Sequence, residues 1–349
     1  MTIYILTIFA ILILGLFTSV IFQSNKSKKI YAIIVFLLVY AISSLRSTSV
    51  GTDVPGYVSR FFIIKNMDFS DLFLHRFEPG YIVLNKLLSL FINNEQVFLA
   101  AIALIILTMI FIGIYKYSSI PSLSVYLFIT MGFFAFTLSG FRQAIAMGIV
   151  FLSFTFLKEK KLLKFVVIIL LASLFHKTAL MFLLIYPFAY RKISLKYLTS
   201  AAILFMVLFF VRKPLLHFLT YTFWDEYSSM LVSSQSFTLL FVIFIVFISG
   251  LFFLKPVLKR NSQNIVLFNI ILLAIFMQLF ATESNNFSRI TNYFYIYAIL
   301  FIPEVLASIK DKNILSIGCI IVVCLTFVQF VWLTPGSQLS IVPYHFFWQ

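Results

Sequence analysis

Three ionisable side chains interrupt long apolar stretches in segments that lie far apart along the chain. Arg142 lies in TLSGFRQAIAMGIVFLSF, His176 in LLASLFHKTALMFLL and Arg289 in TESNNFSRITNYFYIY. A guanidinium donates two parallel hydrogen bonds to a phosphate group, and a histidine can accept a proton from an attacking group. Together these side chains favour a site for a lipid-linked anionic headgroup.

Each of these residues also has an ordinary structural explanation. An arginine or lysine at a membrane boundary can extend its charge to the interface, and a buried histidine can bond a backbone carbonyl. Asp53 lies in the turn-rich stretch RSTSVGTDVPGY, and Glu78 precedes Pro79. Both carboxylates are candidates for helix capping or dipole interaction as well as for chemistry.

The composition indicates a membrane protein. Of 349 residues, 62% are apolar and only 11% are charged, and the mean hydropathy is +1.08, whereas soluble domains carry about 25% charged residues. A water-soluble fold cannot bury so many apolar side chains, which excludes a soluble enzyme, a secreted disulfide scaffold and a disordered protein. The net charge of +15 does not indicate a nucleic acid partner, because the basic residues lie in short loops between apolar runs.

The apolar runs predict an all-α, polytopic membrane protein with about 12 transmembrane helices, within a range of about 10–14. The predicted spans are 2–22, 30–45, 97–115, 121–139, 142–157, 162–175, 178–190, 198–211, 237–254, 265–283, 290–307 and 313–333. Several are shorter than the 20 or so residues that a spanning helix needs, and these are candidates for half-helices. We expect the first run to be a retained helix and not a signal peptide.

Most of the basic residues lie in one set of loops, which the positive-inside rule assigns to the inner side. This set comprises Lys26, Lys28, Lys29, Lys116, Lys158, Lys160, Lys161, Lys164, Arg191, Lys192, Lys196, Lys255, Lys259, Arg260, Lys310 and Lys312. The assignment puts both termini outside and leaves two long outer loops, 46–96 and 212–236. The segment 81–92 carries Asn85 and Lys86, and we expect an in-plane or re-entrant helix there. The chain 1–349 is then a single transmembrane domain.

With this topology, most of the unusual polar residues fall on the outer side and predict a shared cavity. They are Arg46, Asp53, Arg60, Glu78, Arg142, Gln143, His176, Lys177, Glu283, Arg289 and His345. Tyr293 and Tyr297 are spaced for an interfacial aromatic belt or for stacking on sugar rings. The sequence contains no dedicated metal cage, and we expect neither a metal nor a cofactor.

Six stretches resemble the EpsG-like family of bacterial polysaccharide polymerases, a Wzy-type group, and they follow one another in the same order. They are Arg46 with GTDVPGY (51–57), FEPGYIVLNKLLS (77–89), SGFRQAIAMGI (139–149), ASLFHKTALMFLLIYPF (172–188), SRITNYFYIYAILFIPE (288–304) and IVPYHFF (341–347). Each motif is short, but the ordered combination is specific. The loop 212–236 adds nothing to the resemblance.

The resemblance implies a membrane glycosyltransferase of the all-helical GT-C class, active at the periplasmic or outer face of the bacterial inner membrane. Such an enzyme joins oligosaccharide repeat units carried on undecaprenyl diphosphate, for an O-antigen, a capsule or an exopolysaccharide. It transfers the growing glycan from its lipid diphosphate to a sugar hydroxyl of the next unit. The implied partners are these lipid-linked oligosaccharides and the bilayer, with a chain-length regulator as a further candidate.

Roles for single residues follow as hypotheses. Arg142 and Arg289 would stabilise the leaving diphosphate, with Arg46 and Lys177 as further candidates. His176 is the first choice for the base, with Glu78 and Asp53 as alternatives. The candidate substrate-binding residues are Arg46, Gln143, Lys177, Tyr57, Tyr293, Tyr344 and His345.

Three other functions are consistent with the same sequence. A glycan ligase would share the cavity and the topology. A flippase or transporter for lipid-linked oligosaccharides needs polar groups along a path through the bilayer, and Gln278 and Glu304 within predicted spans keep this alternative open. A membrane acyltransferase would favour a histidine on the cytoplasmic side, whereas His176 is predicted outside.

Overall fold

The computed structural model describes residues 1–20, 25–68, 71, 77–223, 237–283 and 285–349. Helices make up 78% of the structure, with no β-strand in these residues. The α-helices are α1 (Thr2–Val20), α2 (Asn25–Ser44), α3 (Val54–Asn66), α4 (Pro79–Ser89), α5 (Glu95–Tyr117), α6 (Pro121–Thr130), α7 (Phe133–Ser139), α8 (Phe141–Leu152), α9 (Phe154–Lys158), α10 (Leu162–Ser173), α11 (Leu195–Phe223), α12 (Phe237–Phe252), α13 (Leu254–Arg260), α14 (Ile265–Ala281), α15 (Asn285–Tyr295), α16 (Ala298–Ala307) and α17 (Lys312–Leu333). Two 3₁₀ helices cover Lys177–Ile185 and Ser262–Asn264.

Six helical segments within the described residues are long and apolar enough to cross a membrane. They are Glu95–Tyr117, Phe141–Lys158, Leu195–Leu216, Ser262–Ala281, Phe287–Ala307 and Lys312–Leu333. The number rises to eight if two bent helix pairs, α6 with α7 and α12 with α13, each count as one span. Thr2–Leu16, Lys29–Ser44 and Leu162–Ser173 are apolar but shorter. The all-helical, multi-span class is therefore confirmed, and the figure of twelve spans remains a prediction.

The two bent pairs have local causes in the sequence. α6 and α7 meet at 57° next to Gly132, whose φ of +86° is accessible to glycine at little cost. α12 and α13 meet at 69° just before Pro256. A proline in the first turn of a helix is tolerated, but its ring clashes with a helix that continues from the preceding turn.

A hairpin covers two of the predicted spans, 162–175 and 178–190. α10 ends at Ser173, and the predicted span 178–190 is a 3₁₀ helix, Lys177–Ile185, followed by turns. The hydroxyl of Tyr186 donates to the Lys160 carbonyl at 3.1 Å and ties the base of the hairpin. Because α10 is only about 18 Å long at 1.5 Å per residue, the hairpin does not supply two full-length α-helical spans.

Helices also occur where the sequence predicts loops. Within the predicted loop 46–96, α3 begins at Val54 in the turn-rich stretch because Pro55 is tolerated in a first helical turn. The predicted loop 212–236 is wrong over 212–223, where α11 continues, since Arg212 pairs with Glu283 at 2.7 Å and does not end the helix. Residues 224–236 lie outside the described residues.

The predicted in-plane segment 81–92 corresponds to α4, which packs on α3 and is not among the candidate spans. The polar residues that interrupt its apolar pattern have structural partners. Lys86 Nζ donates to the carbonyls of Ile64, Lys65 and Met67 and so closes the end of α3. Asn85 bonds the Tyr81 carbonyl at 2.7 Å.

Candidate functional site

A cavity of about 450 Å³ lies where the start of α3, the start of α8, the tip of the α10 hairpin and α15 meet. Its lining includes six of the residues that the sequence predicts for the site: Asp53, Tyr57, Arg142, Gln143, His176 and Arg289. The remaining lining residues are Thr52, Phe136, Ser139, Gly140, Ser288, Asn292, Gln338 and Leu339. We refer to this space as the cationic cavity.

The loop before α3 lies close against the junction of α7 and α8. Gly51 has a φ of +111°, and a Cβ atom at this position would lie 2.5 Å from the Leu138 carbonyl oxygen, so only glycine fits. The Asp53 backbone N–H donates to Ser139 Oγ at 3.3 Å. These contacts place Asp53 next to the first turn of α8, which carries Arg142.

Glu78 joins two of the lining residues through opposite oxygens of its carboxylate. Arg142 Nη1 lies 2.5 Å from Oε2, and His176 Nδ1 lies 3.1 Å from Oε1. The Lys177 backbone N–H also donates to Oε1, at 3.4 Å. The Arg142 guanidinium packs over the Phe77 ring, 4.3 Å from its centroid. The Glu78 side chain is 6% exposed, and it couples α8 to the hairpin tip.

The approach of Glu78 to the hairpin depends on a neighbouring glycine. The Gly80 N–H donates to the Leu174 carbonyl at 2.8 Å, and a Cβ atom at Gly80 would lie 2.8 Å from that oxygen. Glu78 occupies the N-cap position of α4, but its side chain makes no capping hydrogen bond. Its carboxylate is used for Arg142 and His176 instead.

Electrostatics keep Glu78 ionised. Burial by itself would raise the pKa of Glu78, but the hydrogen bond from His176 and the charge of Arg142 outweigh burial and lower this pKa to about 2. An ionised carboxylate only accepts hydrogen bonds, so the His176 Nδ1–H must be the donor. In the neutral imidazole, Nε2 is then an acceptor, and it is buried without a hydrogen-bond partner among the described residues.

Two further residues that line the cavity have charged side chains without described partners. Arg289 and Asp53 are both exposed, and within the described part of the chain neither side chain has an ion pair or a hydrogen bond. Gln143 Nε2 donates to the Arg289 carbonyl and ties the start of α15 to α8. The cavity therefore contains a free guanidinium and a free carboxylate beside the Glu78 network.

A model of the EpsG family matches residues 29–346. The chain belongs to the EpsG family. EpsG-like proteins are Wzy-type polysaccharide polymerases. No curated protein and no solved structure matches the chain significantly. The matched range of this EpsG-family chain includes every residue that lines the cationic cavity.

Arg46, a predicted substrate-binding residue of this EpsG-family protein, lies outside the cavity lining. Its side chain is 1% exposed, and its guanidinium donates to the Ser43 carbonyl and, at 3.2 Å, to the Leu138 carbonyl. The guanidinium also packs over the Phe141 ring. Burial lowers the pKa of Arg46 to about 10, which leaves it cationic at neutral pH. Through these contacts, Arg46 links α2 to the end of α7.

Glu78 and, besides Arg46, four predicted substrate-binding residues are also absent from the cavity lining. Tyr293 is buried and accepts a hydrogen bond from Thr178 at 3.4 Å. Tyr344 donates to the Ile42 carbonyl at 2.8 Å. The side chains of Lys177 and His345 are exposed.

Several lining residues of the EpsG-family site lack a clear sequence signal. Asn292 follows Arg289 by three positions in α15, and this spacing puts both on one helix face, so helical periodicity could have found it. Gln338 and Leu339 reach the cavity from the far end of the chain. Their carbonyls accept hydrogen bonds from the Thr52 hydroxyl and N–H, and no local pattern indicates this pairing.

A second buried glutamate lies near the other end of the span that begins beside the cavity. Glu304 follows Arg289 by 15 positions within Phe287–Ala307, or about 22 Å along a helix. Its carboxylate accepts from Asn264 Nδ2 at 2.8 Å, from the Ser119 hydroxyl and from Arg260 Nη1 at 3.4 Å. We refer to these four residues as the Glu304 cluster.

Proposed function

We propose that this protein is a polysaccharide polymerase that transfers a growing glycan from undecaprenyl diphosphate to a sugar hydroxyl of the next lipid-linked repeat unit. The observation that supports this most strongly is the cationic cavity, where Arg142, His176 and Arg289 come together from three separate segments. Membership of the EpsG family supports the general activity. The lipid diphosphate chemistry is our inference from the charges of the cavity.

In the proposed reaction, the bond between the donor sugar and the diphosphate oxygen breaks, and negative charge develops on that oxygen. Fixed cations near the oxygen lower the barrier because they need no reorganisation when the charge appears. Arg289 has no ion pair with a described residue and is free to bind the diphosphate. Arg142 shares its charge with Glu78, and its Nε is a further donor without a described partner.

The acceptor hydroxyl forms the new glycosidic bond and must lose its proton. His176 Nε2 is the best candidate to accept that proton, because Nδ1 is occupied by Glu78 and the residue lines the cavity. Asp53 is the alternative base because its carboxylate is exposed and free of described partners. Glu78 is less suitable as a base, since both of its oxygens accept hydrogen bonds and its pKa is about 2.

The proposal includes a membrane arrangement. The whole chain would form one GT-C-like transmembrane domain with about 12 spans, with both termini outside. The cavity would face the periplasm or the cell exterior from the bacterial inner membrane. Arg142 is the second residue of the span Phe141–Lys158, and Lys158 is the last. The distribution of Lys and Arg favours the cytoplasm for the Lys158 end. No nucleic acid partner is proposed, and a chain-length regulator remains a candidate partner.

The test is reconstitution of the purified full chain in lipid nanodiscs with a repeat unit on undecaprenyl diphosphate. The expected result is a ladder of products that differ by one repeat unit and remain attached to the lipid diphosphate. Correctly folded protein that binds the donor and yields no ladder would overturn the proposal. A ligase would move glycan only to a separate acceptor, and a flippase would move the donor across a vesicle membrane without forming a bond.

A further inference from the structure

We infer that Glu78 is a positioning residue that holds His176 in the tautomer with Nδ1 protonated, so that Nε2 is presented as a proton acceptor. The inference rests on the proposed function for its catalytic meaning. The tautomer itself is a structural property that can be measured without turnover. In this role Glu78 orients His176 and does not itself act as a base on the substrate.

The first support is the division of the Glu78 carboxylate between two lining residues. Oε1 accepts from His176 Nδ1 at 3.1 Å, and Oε2 accepts from Arg142 Nη1 at 2.5 Å. Because an ionised carboxylate cannot donate, the pairing with Nδ1 is compatible only with a protonated Nδ1. A carboxylate behind a histidine fixes the ring orientation in the same way in serine hydrolases.

The second support is the state of the opposite ring nitrogen. His176 Nε2 is buried and has no hydrogen-bond partner among the described residues, although burying a polar atom unpaired is costly. The residue lines the cationic cavity. A substrate hydroxyl that displaces the side chains covering Nε2 would supply the missing partner, since a neutral Nε2 accepts a hydrogen bond from it and then the proton.

The third support is that Glu78 is not explained by an ordinary helix-capping role. It occupies the N-cap position of α4 without a capping hydrogen bond. The close contact of Gly80 with Leu174 brings the Glu78 backbone to the hairpin that carries His176. The local structure is therefore arranged around the contact between Glu78 and the histidine.

The experiment measures the His176 tautomer by nitrogen NMR in full-length protein labelled with ¹⁵N-histidine in nanodiscs. The chain has four histidines, and the His176→Gln variant assigns the signal. The expected wild-type signal, at a pH where the ring is neutral, is a protonated Nδ1 and an unprotonated Nε2. In Glu78→Gln this preference should weaken, because an amide can donate as well as accept. Asp53→Asn, which removes another cavity carboxylate, should leave it unchanged.

Activity then links the tautomer to turnover. Glu78→Gln should lower kcat for polymerisation by at least about tenfold, with a smaller change in KM for the lipid-linked donor. Glu78→Asp keeps the acceptor and should recover part of both kcat and the tautomer preference. Size-exclusion chromatography would reveal whether Glu78→Gln folds. If it does not, the Glu78→Asp variant and the wild-type tautomer still test the role of Glu78.

A wild-type His176 protonated at Nε2 would overturn the inference, and so would a Glu78→Gln variant with unchanged tautomer and kcat. These outcomes are separate from failure of the proposed function. A protein with the expected tautomer change but no polymerising activity would refute only the function. A polymerising wild type with an insensitive tautomer would refute only the role of Glu78.

Discussion

The two buried glutamates, Glu78 and Glu304, resemble each other in burial and in having an arginine partner, yet their surroundings differ. The donors to Glu304 lie at helix ends and turns: Ser119 before α6, Asn264 before α14 and Arg260 at the end of α13. They close the carboxylate off and join neighbouring helices. The side-chain donors to Glu78, Arg142 and His176, both line the cationic cavity.

The comparison separates a structural buried charge from a functional one. In both places hydrogen bonds offset the cost of desolvating a carboxylate. Only at Glu78 do the donors retain buried polar atoms without described partners, namely Arg142 Nε and His176 Nε2. We therefore expect substitutions around Glu78 to change chemistry and substitutions around Glu304 to change stability. The same contrast weakens the flippase alternative, because the carboxylate of Glu304 accepts hydrogen bonds from three residues that join helices.

The largest expected effect is that of His176→Gln. Loss of a general base should lower the rate of ladder growth by about 10²–10⁴-fold, measured with the reconstituted protein and a lipid-linked donor. Asp53→Asn is the matched control, since it neutralises the other candidate base in the same cavity. A greater loss in Asp53→Asn than in His176→Gln would transfer the role of the base to Asp53.

Arg142→Ala should have the next largest effect. Removing one fixed donor from a site where charge develops costs about 10²–10³-fold in kcat, and we expect short or single-repeat glycans in cells. Arg260→Ala is the control from the Glu304 cluster, because it also removes the arginine partner of a buried glutamate. Its protein should insert normally and form a full ladder. An equal loss of polymer in both variants would break the contrast between the two glutamates.

Much of the site could be predicted from the sequence because ionisable residues are costly within apolar segments and therefore conspicuous. This reasoning selects Arg142, His176 and Arg289, which the structure brings to one cavity. It cannot tell whether a cation faces a cavity or the protein interior. Arg46 is one of the residues that the sequence predicts to bind substrate, but in the structure backbone carbonyls accept hydrogen bonds from its guanidinium.

The remaining features depend on contacts between distant residues, which local patterns do not reveal. Glu78 and His176 are 98 positions apart, and their pairing arises from the fit of Gly80 against Leu174. Apolar content predicts helices well but not their type or length. For this reason the sequence predicts a membrane-spanning helix over 178–190, whereas the structure has a short 3₁₀ helix, Lys177–Ile185, in a hairpin.

Arg289→Lys should have a moderate effect and tests whether the cavity needs a guanidinium or only a positive charge. Lysine retains the charge but loses the planar pair of donors that fits a phosphate group. We expect a roughly tenfold lower rate of ladder growth, and a larger loss in Arg289→Ala. Equal rates in Arg289→Lys and wild type would show that a point charge is sufficient and would weaken the assignment of bidentate binding.

The smallest expected effect concerns stability in acid. The pKa of Glu78 is lowered from 4.5 to about 2 in the folded protein, so the unfolded chain takes up this proton first as the pH falls. The stability that ionised Glu78 contributes is fully present above pH 4.5 and decreases as the pH falls towards 2. Thermal unfolding in detergent should therefore shift downward between pH 6 and pH 3 by more in wild type than in Glu78→Gln.

The control for this shift is Glu95→Gln, which replaces an exposed carboxylate in the first turn of α5. Its acid shift should equal that of wild type, because no buried ion pair is removed. An identical acid shift in Glu78→Gln and wild type would mean that the Glu78 network adds no stability. That result would leave the network with a purely functional role and would sharpen its difference from the Glu304 cluster. In that cluster, Ser119→Ala should lower the unfolding temperature without changing the product ladder.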